Sequence, residues 1–229
     1  MQPTIQVADF SQQHFAEDIC HMMEDAALVR GTGIAKRDPE YIREKMMEGK
    51  AIIALSNDRV VGFCYIESWE NKKYVANSGL IVHPDFRKTG LARAIKQATF
   101  ELSKMHYPNA KLFGITTSLA VMKINSDLGY KPVTFSEITQ DDAFWKGCQS
   151  CVNYDILQRT NRTMCLCTGM ACDLSQVSAK TDPAQREKSW ENFKRFLKLR
   201  RIRVQRKMEQ FLFQKVNGHE KKQHSGIGV

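Results

Sequence analysis

One stretch of sequence constrains the fold of this chain most strongly. In it, an apolar extended segment is followed by a short cationic turn and then by an amphipathic helix. The extended segment runs from Tyr74 to Val82, the turn follows His83 and Pro84, and the helical pattern begins at Gly90. A strand, a loop and a helix in this order aim backbone N–H groups and the positive end of a helix dipole at one point. The sequence therefore predicts a binding site for a phosphate or pyrophosphate at this loop.

The spacing of residues within the loop shows which of the known phosphate-binding motifs it can be. Arg87 to Ala92 reads Arg-x-x-Gly-x-Ala, in which Gly90 lets the backbone approach an anion closely while Arg87 and Lys88 add positive charge. The motif lacks the Lys-Ser/Thr ending of a P-loop and the three glycines of the dinucleotide fingerprint. Both nucleotide motifs are thereby excluded, and an ordinary strand–helix connection remains the alternative.

The stretch from His83 to Ala92 resembles the acyl-CoA pyrophosphate loop of the GNAT acyltransferases. The order of predicted elements over about residues 1–135, β-αα-βββ-α-β-α-β, is also that of the family. Leu128, Gly129 and Tyr130 are similar to its recurrent Leu-Gly-aromatic sequence after the last core helix. The resemblance implies an α/β (α+β) fold with a mixed, mostly antiparallel sheet flanked by helices, and acetyl-CoA or another acyl-CoA as cosubstrate.

The resemblance also implies which residues bind the cosubstrate. The main chain of Ile81 and Val82 would bond the pantetheine amides, and Asn125 would lie beside the same group. The pyrophosphate would be held by Arg87, Lys88, Thr89, Gly90, Leu91 and Ala92. Arg93 or Lys96 would reach the adenosine-side phosphate, unless both belong to a solvated helix face.

The side chains that usually supply acid–base chemistry in this family differ here. Ala76 stands where many members have a Glu, and Asn125 stands where many have a Tyr that protonates the leaving thiolate. A water relay or another side chain would then do this work. The candidates are Glu67, Ser118 and Asn125, together with Cys64 and Thr117. The alternative function is a non-catalytic acyl-CoA-binding or regulatory module, whose Cys-rich segment and basic tail bind a partner.

Cations in the segment between the first two predicted helices indicate the acceptor. Arg30, Lys36 and Arg37 stand near glycines that permit tight turns, which suits a small di-anionic amine and disfavours uncharged ones. A surface loop with scattered charge is the alternative.

Longer segments resemble a narrower group within the family. These segments are residues 29–37, 63–69, 76–80 and 144–157. They are similar to a GNAT subfamily associated with Bacteroidetes and with arginine-biosynthesis genes. That resemblance implies amino-acid biosynthesis by direct transfer of an acetyl or succinyl group to glutamate in a ternary complex.

Two close pairs of cysteines follow the predicted core. They are Cys148, Cys151, Cys165 and Cys167. Four thiolates can bind one tetrahedral Zn²⁺, and the first pair has the usual spacing, whereas the second pair is tighter than in most zinc sites. A structural zinc, buried reduced thiols and a redox-sensitive dithiol all remain open as interpretations.

The charge of the chain is concentrated in its tail. Residues 183–229 hold 13 Lys+Arg against 4 Asp+Glu, which is the whole net charge of +9. We therefore predict three parts, namely an acyltransferase core at 1–138, a Cys-rich extension at 139–182 that completes or covers the sheet, and a basic amphipathic helical tail at 183–229. The tail is expected to dock on its own core or in a homodimer. Contact with nucleic acid or with an anionic membrane surface is less favoured, and a solvated extension is the third alternative.

The apolar pattern of the chain favours a protein of the cytoplasm. No apolar run approaches the length of a membrane span, and the first residues lack the apolar core of a signal peptide. We therefore expect a cytoplasmic protein with no membrane span.

Overall fold

The computed structural model describes residues 2–30 and 36–176, together with Arg195, Lys198, Ile202 and Arg206. The chain divides into two compact units, Met1–Thr181 and Asp182–Val229. In the second unit the four described residues are helical and exposed, and the rest of the predicted basic helix lies outside the described residues. No described helix is both long enough and apolar enough to cross a lipid bilayer.

The first unit alternates strands and helices in the predicted order. Its strands are β1 (Thr4–Val7), β2 (Ala51–Ser56), β3 (Arg59–Trp69), β4 (Tyr74–Val82), β5 (Lys111–Thr116), β6 (Lys131–Val133) and β7 (Thr168–Asp173). Its helices are α1 (Ala16–Arg30), α2 (Pro39–Met47), α3 (Leu91–His106), α4 (Leu119–Asp127), α5 (Asp142–Lys146) and α6 (Tyr154–Arg159). Short 3₁₀ turns lie at Phe10–Phe15, Pro84–Phe86 and Phe135–Glu137.

Local sequence chemistry sets several of these boundaries. Asp38 caps α2 by accepting a hydrogen bond of 2.8 Å from the Glu40 N–H, and Pro39 occupies the first turn, where a missing N–H costs nothing. Asn57 and Asp58 both adopt left-handed backbone angles between β2 and β3, as the twist of a two-residue hairpin requires.

One seven-stranded sheet holds the unit together. Its strand order is β1-β2-β3-β4-β5-β7-β6, and only the β4–β5 pair is parallel. The predicted α/β class with a mixed, mostly antiparallel sheet is confirmed. Strand β7, which comes from the Cys-rich segment, pairs with β5 on one side and with β6 on the other. Residues 168–173 are therefore an internal strand of the sheet.

Strands β4 and β5 separate soon after they pair. Their ladder joins Tyr74–Ala76 to Lys111–Phe113, so the edge of β4 that faces β5 is open beyond Ala76. Opposite this open edge β4 carries a bulge, because Ile81 pairs with Phe63 while Ser78 pairs with Tyr65. The bulge turns the strand at the point where it leaves β5.

Gly79 makes this bulge possible, and we expect the change Gly79→Ala to destabilise the protein by about 3 kcal/mol. Its φ of +64° strains any other residue, and an added Cβ would lie 2.5 Å from Cε1 of the Tyr65 ring. Because that ring is fully buried, it has no room to move aside. Urea denaturation measures the loss of unfolding free energy.

Gly49→Ala is the matched control for this prediction. Gly49 has nearly the same φ, +63°, but no atom lies within 4 Å of its added Cβ, so only backbone strain remains. We expect a loss of about 1 kcal/mol there. Equal losses at the two positions would show that the contact with Tyr65 contributes nothing.

Candidate active site

A cavity of about 550 Å³ opens where β4 and β5 separate. Strands β3, β4 and β5 and helices α3 and α4 line it, and the segment that contains α5 and α6 forms another wall. Twelve of the residues that the sequence offers as candidates for the site line this cavity: Lys36, Arg37, Glu67, Ile81, Lys96, Thr117, Ser118, Asn125, Cys148, Cys151, Cys165 and Cys167. The fold thus brings together predicted residues that are far apart in sequence.

Arg37 is held at one side of the cavity by two aromatic residues. Its Nε donates a 2.6 Å hydrogen bond to the Tyr65 hydroxyl, and its guanidinium carbon lies 5.9 Å from the ring centroid of Tyr41. Burial lowers the pKa of Arg37, but the nearby Tyr65 and Glu67 outweigh that effect and hold the pKa above its usual value. A fixed, charged guanidinium in a cavity is suited to bind a carboxylate.

Glu67 lies beside Arg37 and accepts a hydrogen bond from the Tyr41 hydroxyl. Burial, and then the charge of Glu67, raise the pKa of Tyr41 far above its usual value, so Tyr41 remains a neutral donor. Glu67 pairs directly with Ala76 across the β3–β4 ladder, so the two side chains project from the same face of the sheet. The Glu67 carboxylate therefore lies on the strand next to Ala76, about 4.8 Å across the sheet from the position where many members of the resembled family have a Glu.

The other predicted acceptor cations are placed differently. Lys36 pairs with Glu24 at 3.1 Å, and its side chain is 79% exposed, so it is at the cavity mouth. Arg30 ends α1, and its side chain, like residues 31–35, lies outside the described part of the chain. Of the three predicted cations, Arg37 is therefore the one whose described side chain is held at the cavity by neighbouring residues.

The predicted anion loop connects the end of β4 to the start of α3. Lys88 and Gly90 both have positive φ, and Gly90 precedes α3 without a side chain to cap it. The first N–H groups of α3 therefore have no side-chain acceptor at the cap position. Arg87 and Lys88 are exposed at the same loop. These features fit a pyrophosphate, as the sequence predicted.

The open edge of β4 and a buried amide fit the pantetheine arm that would follow this pyrophosphate. Ile81 and Val82 are buried at the end of β4, beyond its ladder with β5. Asn125 is 2% exposed, and in the described structure its Oδ1 has no hydrogen-bond partner. A buried, unpaired amide oxygen beside an open strand edge is a group to which a bound amide could donate.

We expect the change Gly90→Asp to weaken CoA binding at least tenfold. The negative charge of Asp would repel the pyrophosphate at the positive end of α3, and its side chain would keep the pyrophosphate away from the backbone. No protein atom lies within 4 Å of an added Cβ, so only the strain of the +89° φ remains, and the fold should survive the change with a loss of about 1 kcal/mol. Isothermal titration with CoA gives the affinity.

Gly90→Asn separates the effect of charge from the effect of size. Asn has the shape of Asp and adopts positive φ more readily than most residues. The Gly90→Asn variant should therefore lose less affinity for CoA than Gly90→Asp. If Gly90→Asp binds CoA like the original protein, the pyrophosphate does not lie at this loop.

Two other predicted residues turn out to have structural partners. Ser118 is the N-cap of α4, where its hydroxyl accepts a 3.4 Å hydrogen bond from the Val121 N–H. Arg93 is exposed and forms an ion pair with Asp127. Lys96, predicted as a phosphate contact or a solvated residue, is instead only 2% exposed and lines the cavity. The sequence could have predicted this burial, because Lys96 precedes the buried Thr99 and Phe100 by three and four residues and so lies on the same face of α3.

The predicted zinc site finds no support in the structure. The part of the chain that it describes contains no group of three or more His, Cys, Asp or Glu side chains arranged to hold a metal ion. No disulfide joins the four cysteines in the described structure, and all four line the cavity. Burial, followed by the nearby Cys165 and Cys151, raises the pKa of Cys148 to about 11, so this thiol is protonated in the metal-free protein at neutral pH.

Aromatic residues connect the Cys-rich segment to the sheet, and sequence reasoning did not identify them as part of the cavity wall. Phe144 of α5 meets Trp69 of β3 and Phe113 of β5 edge-on, with ring centroids 5.2 Å and 5.0 Å away. Trp145 is 2% exposed and donates a 3.0 Å hydrogen bond to the Thr139 carbonyl. The segment is therefore packed firmly enough to shape the cavity.

Comparison with known proteins assigns a family to the central part of the chain. Residues 18–113 match the model of the Acetyltransferase (GNAT) family. This range contains β2, β3, β4, the predicted anion loop and α3. A comparison with curated protein sequences finds no match.

Solved structures resemble the chain at low sequence identity. N-acetylglutamate synthase from Neisseria gonorrhoeae, complexed with coenzyme A and N-acetyl-glutamate, has a TM-score of 0.54 and 12% identity over 76% of this chain. This chain spans only 35% of that synthase chain. A phosphinothricin acetyltransferase from Sinorhizobium meliloti, in complex with acetyl-CoA, has a TM-score of 0.52 and 13% identity, covering 79% of this chain and 93% of its own.

A third structure has a different acceptor. Diaminobutyrate acetyltransferase from Paenibacillus lautus, in complex with L-2,4-diaminobutyric acid and coenzyme A, has a TM-score of 0.51 and 7% identity, covering 78% of this chain and 99% of its own. At such identities these likenesses establish the fold and leave the acceptor undetermined. The sheet order and these neighbours together show that the chain has the GNAT fold, and residues 18–113 within it match the acetyltransferase (GNAT) family.

Proposed function

We propose that this protein transfers an acetyl or succinyl group from acyl-CoA directly to the amine of a small acidic acceptor such as glutamate. Arg37 carries the proposal, because it places a fixed positive charge beside Glu67 in the cavity at the open edge of β4. A carboxylate of the acceptor would bind the guanidinium, which leaves the amine free to approach the thioester. Arginine biosynthesis, implied by the sequence resemblance, needs such a reaction.

Glu67 is the best-placed group to remove the proton from the acceptor amine. The amine must lose a proton to attack the thioester, and a carboxylate at hydrogen-bond reach, directly or through one water, can accept it. Tyr41 donates to the carboxylate and so fixes its orientation. Arg37 would therefore bind the acceptor, and Glu67 would activate it.

The acceptor proposal is tested by incubating the protein with acetyl-CoA or succinyl-CoA and a panel of amino acids while free thiol is followed. Glutamate should release CoA faster than glutamine, which has the same shape but lacks the side-chain charge. Equal rates with glutamate, glutamine and 2-aminobutyrate would show that the acceptor carboxylate is not recognised. If no acceptor releases CoA, a non-catalytic acyl-CoA-binding module becomes the better account.

A further inference from the structure

Lys96 brings a buried amine to the cavity on the α3 side of the sheet. It is 2% exposed and lines the cavity together with Asn77 of β4 and Asn125 of α4. Within the described residues, its environment includes the Tyr130 ring, whose centroid lies 5.4 Å from Nζ, but no salt-bridge partner. Burying an unpaired ammonium is costly, so this lysine weakens the fold unless it serves a ligand or a reaction.

The titratable groups that face Lys96 are neutral. They are Cys64 of β3, Cys172 of β7 and Tyr130, which follows α4. Burial raises the pKa of all three, that of Cys172 to about 12, so none of them provides a counter-charge. Burial also lowers the pKa of Lys96, which brings it closer to the value of about 8.5 that is usual for a thiol.

Asn125 is the second group in this part of the cavity that lacks a partner. Its Oδ1 has no hydrogen bond in the described structure, and its Nδ2 has only the Met170 sulfur at 3.9 Å. The sequence resemblance places the family's thiolate-protonating Tyr at this position, and an amide cannot donate a proton in that way. The same cavity therefore contains a buried lysine and the position at which an acid is missing.

We propose that Lys96 protonates the leaving thiolate and that Asn125 positions the thiol end of CoA beside it. This inference rests on the proposed acyl transfer, since it assigns the acid of that reaction. As the C–S bond of the tetrahedral intermediate breaks, its electron pair moves to sulfur, and Lys96 Nζ donates a proton to form the free thiol. The acceptor nitrogen loses its proton to Glu67 and then to solvent, and Lys96 regains one from solvent.

Lys96→Met tests the assignment because it removes the charge and keeps a side chain of similar length. We expect kcat to fall at least about 100-fold, as for the loss of a general acid. The thermal midpoint should not fall, because an apolar side chain replaces a costly buried charge. Lys131→Met, which removes an exposed lysine from β6, should change neither quantity.

Affinity for CoA and for desulfo-CoA, measured against pH, separates a chemical role from a structural one. An ammonium beside the thiol lowers the pKa of bound CoA, so affinity for CoA relative to desulfo-CoA should rise between about pH 6 and pH 9. That rise should be absent in Lys96→Met. The measurement uses no acceptor, so it remains informative even if glutamate is the wrong acceptor.

Either of two results would overturn the assignment. One is a variant whose CoA affinity keeps the same dependence on pH as that of the original protein. The other is a variant that loses affinity for CoA and desulfo-CoA equally and also unfolds at a lower temperature, which would mean that Lys96 only supports the fold. If Lys96→Met does not fold, Lys96→Gln is measured in the same way.

Discussion

Replacing Glu67 with Gln is expected to lower kcat/KM for acyl transfer by about 100-fold or more, because general-base catalysis contributes at least that much. Glu67 lines the cavity, and its carboxylate accepts a hydrogen bond from Tyr41 and lies next to the charged Arg37. The amide of Gln keeps the size of the side chain and can still accept from Tyr41, but it cannot take up a proton. The KM for acetyl-CoA should stay unchanged, since the loop after β4 is untouched.

Steady-state rates across a range of pH provide the measurement. The rate with Glu67→Gln should stay below that of the original protein at every pH, because no carboxylate accepts the proton of the acceptor amine. Glu44→Gln is the matched control, because Glu44 is an exposed carboxylate on α2. Activity of Glu67→Gln close to that of the control would mean that water or another group removes the proton.

Replacing Arg37 with Met is expected to raise the KM for glutamate about 100-fold, which corresponds to the loss of about 2.7 kcal/mol. The guanidinium is fixed by Tyr65 and charged, so a carboxylate that binds it forms a charge-assisted hydrogen bond out of bulk water. Arg37→Lys should give an intermediate value, because Lys keeps the charge but loses the planar fork of donors.

The ratio of kcat/KM between glutamate and glutamine is the sharpest measure of this effect. It should be high in the original protein and close to one in Arg37→Met. Arg43→Met serves as control, since Arg43 forms ion pairs with Glu17 and Glu40 and is not among the residues that line the cavity. An unchanged ratio in Arg37→Met would place the acceptor carboxylates elsewhere.

The sequence was sufficient for the parts of the fold that depend on local patterns. The anion loop could be predicted because Gly90 follows a strand and opens a helix with a clear apolar stripe. The hairpin at Asn57 and Asp58 could be predicted because few residue pairs adopt two left-handed conformations in succession. Arg37 could be named as a cation of the segment between the first two predicted helices, and Glu67 as a carboxylate of a predicted strand.

Other features depend on contacts that local patterns do not encode. The insertion of β7 between β5 and β6 depends on pairing over long separations in sequence. The packing of Phe144 on Trp69 joins segments more than seventy residues apart, so the segment's role as a cavity wall had no local signal. The burial of Lys96 was not predicted, because lysine is seldom buried in proteins. Its position on the apolar stripe of α3 nevertheless indicated a buried residue.

The central claim, acyl transfer to an acidic amine in this cavity, is tested most directly by identifying the product. The protein is incubated with acetyl-CoA or succinyl-CoA and ¹⁵N-labelled glutamate, and free CoA and N-acylglutamate are quantified together by mass spectrometry. The account predicts that both products form in equal amounts with one of the two acyl donors. It would be contradicted if neither donor yields N-acylglutamate, or if CoA is released without it.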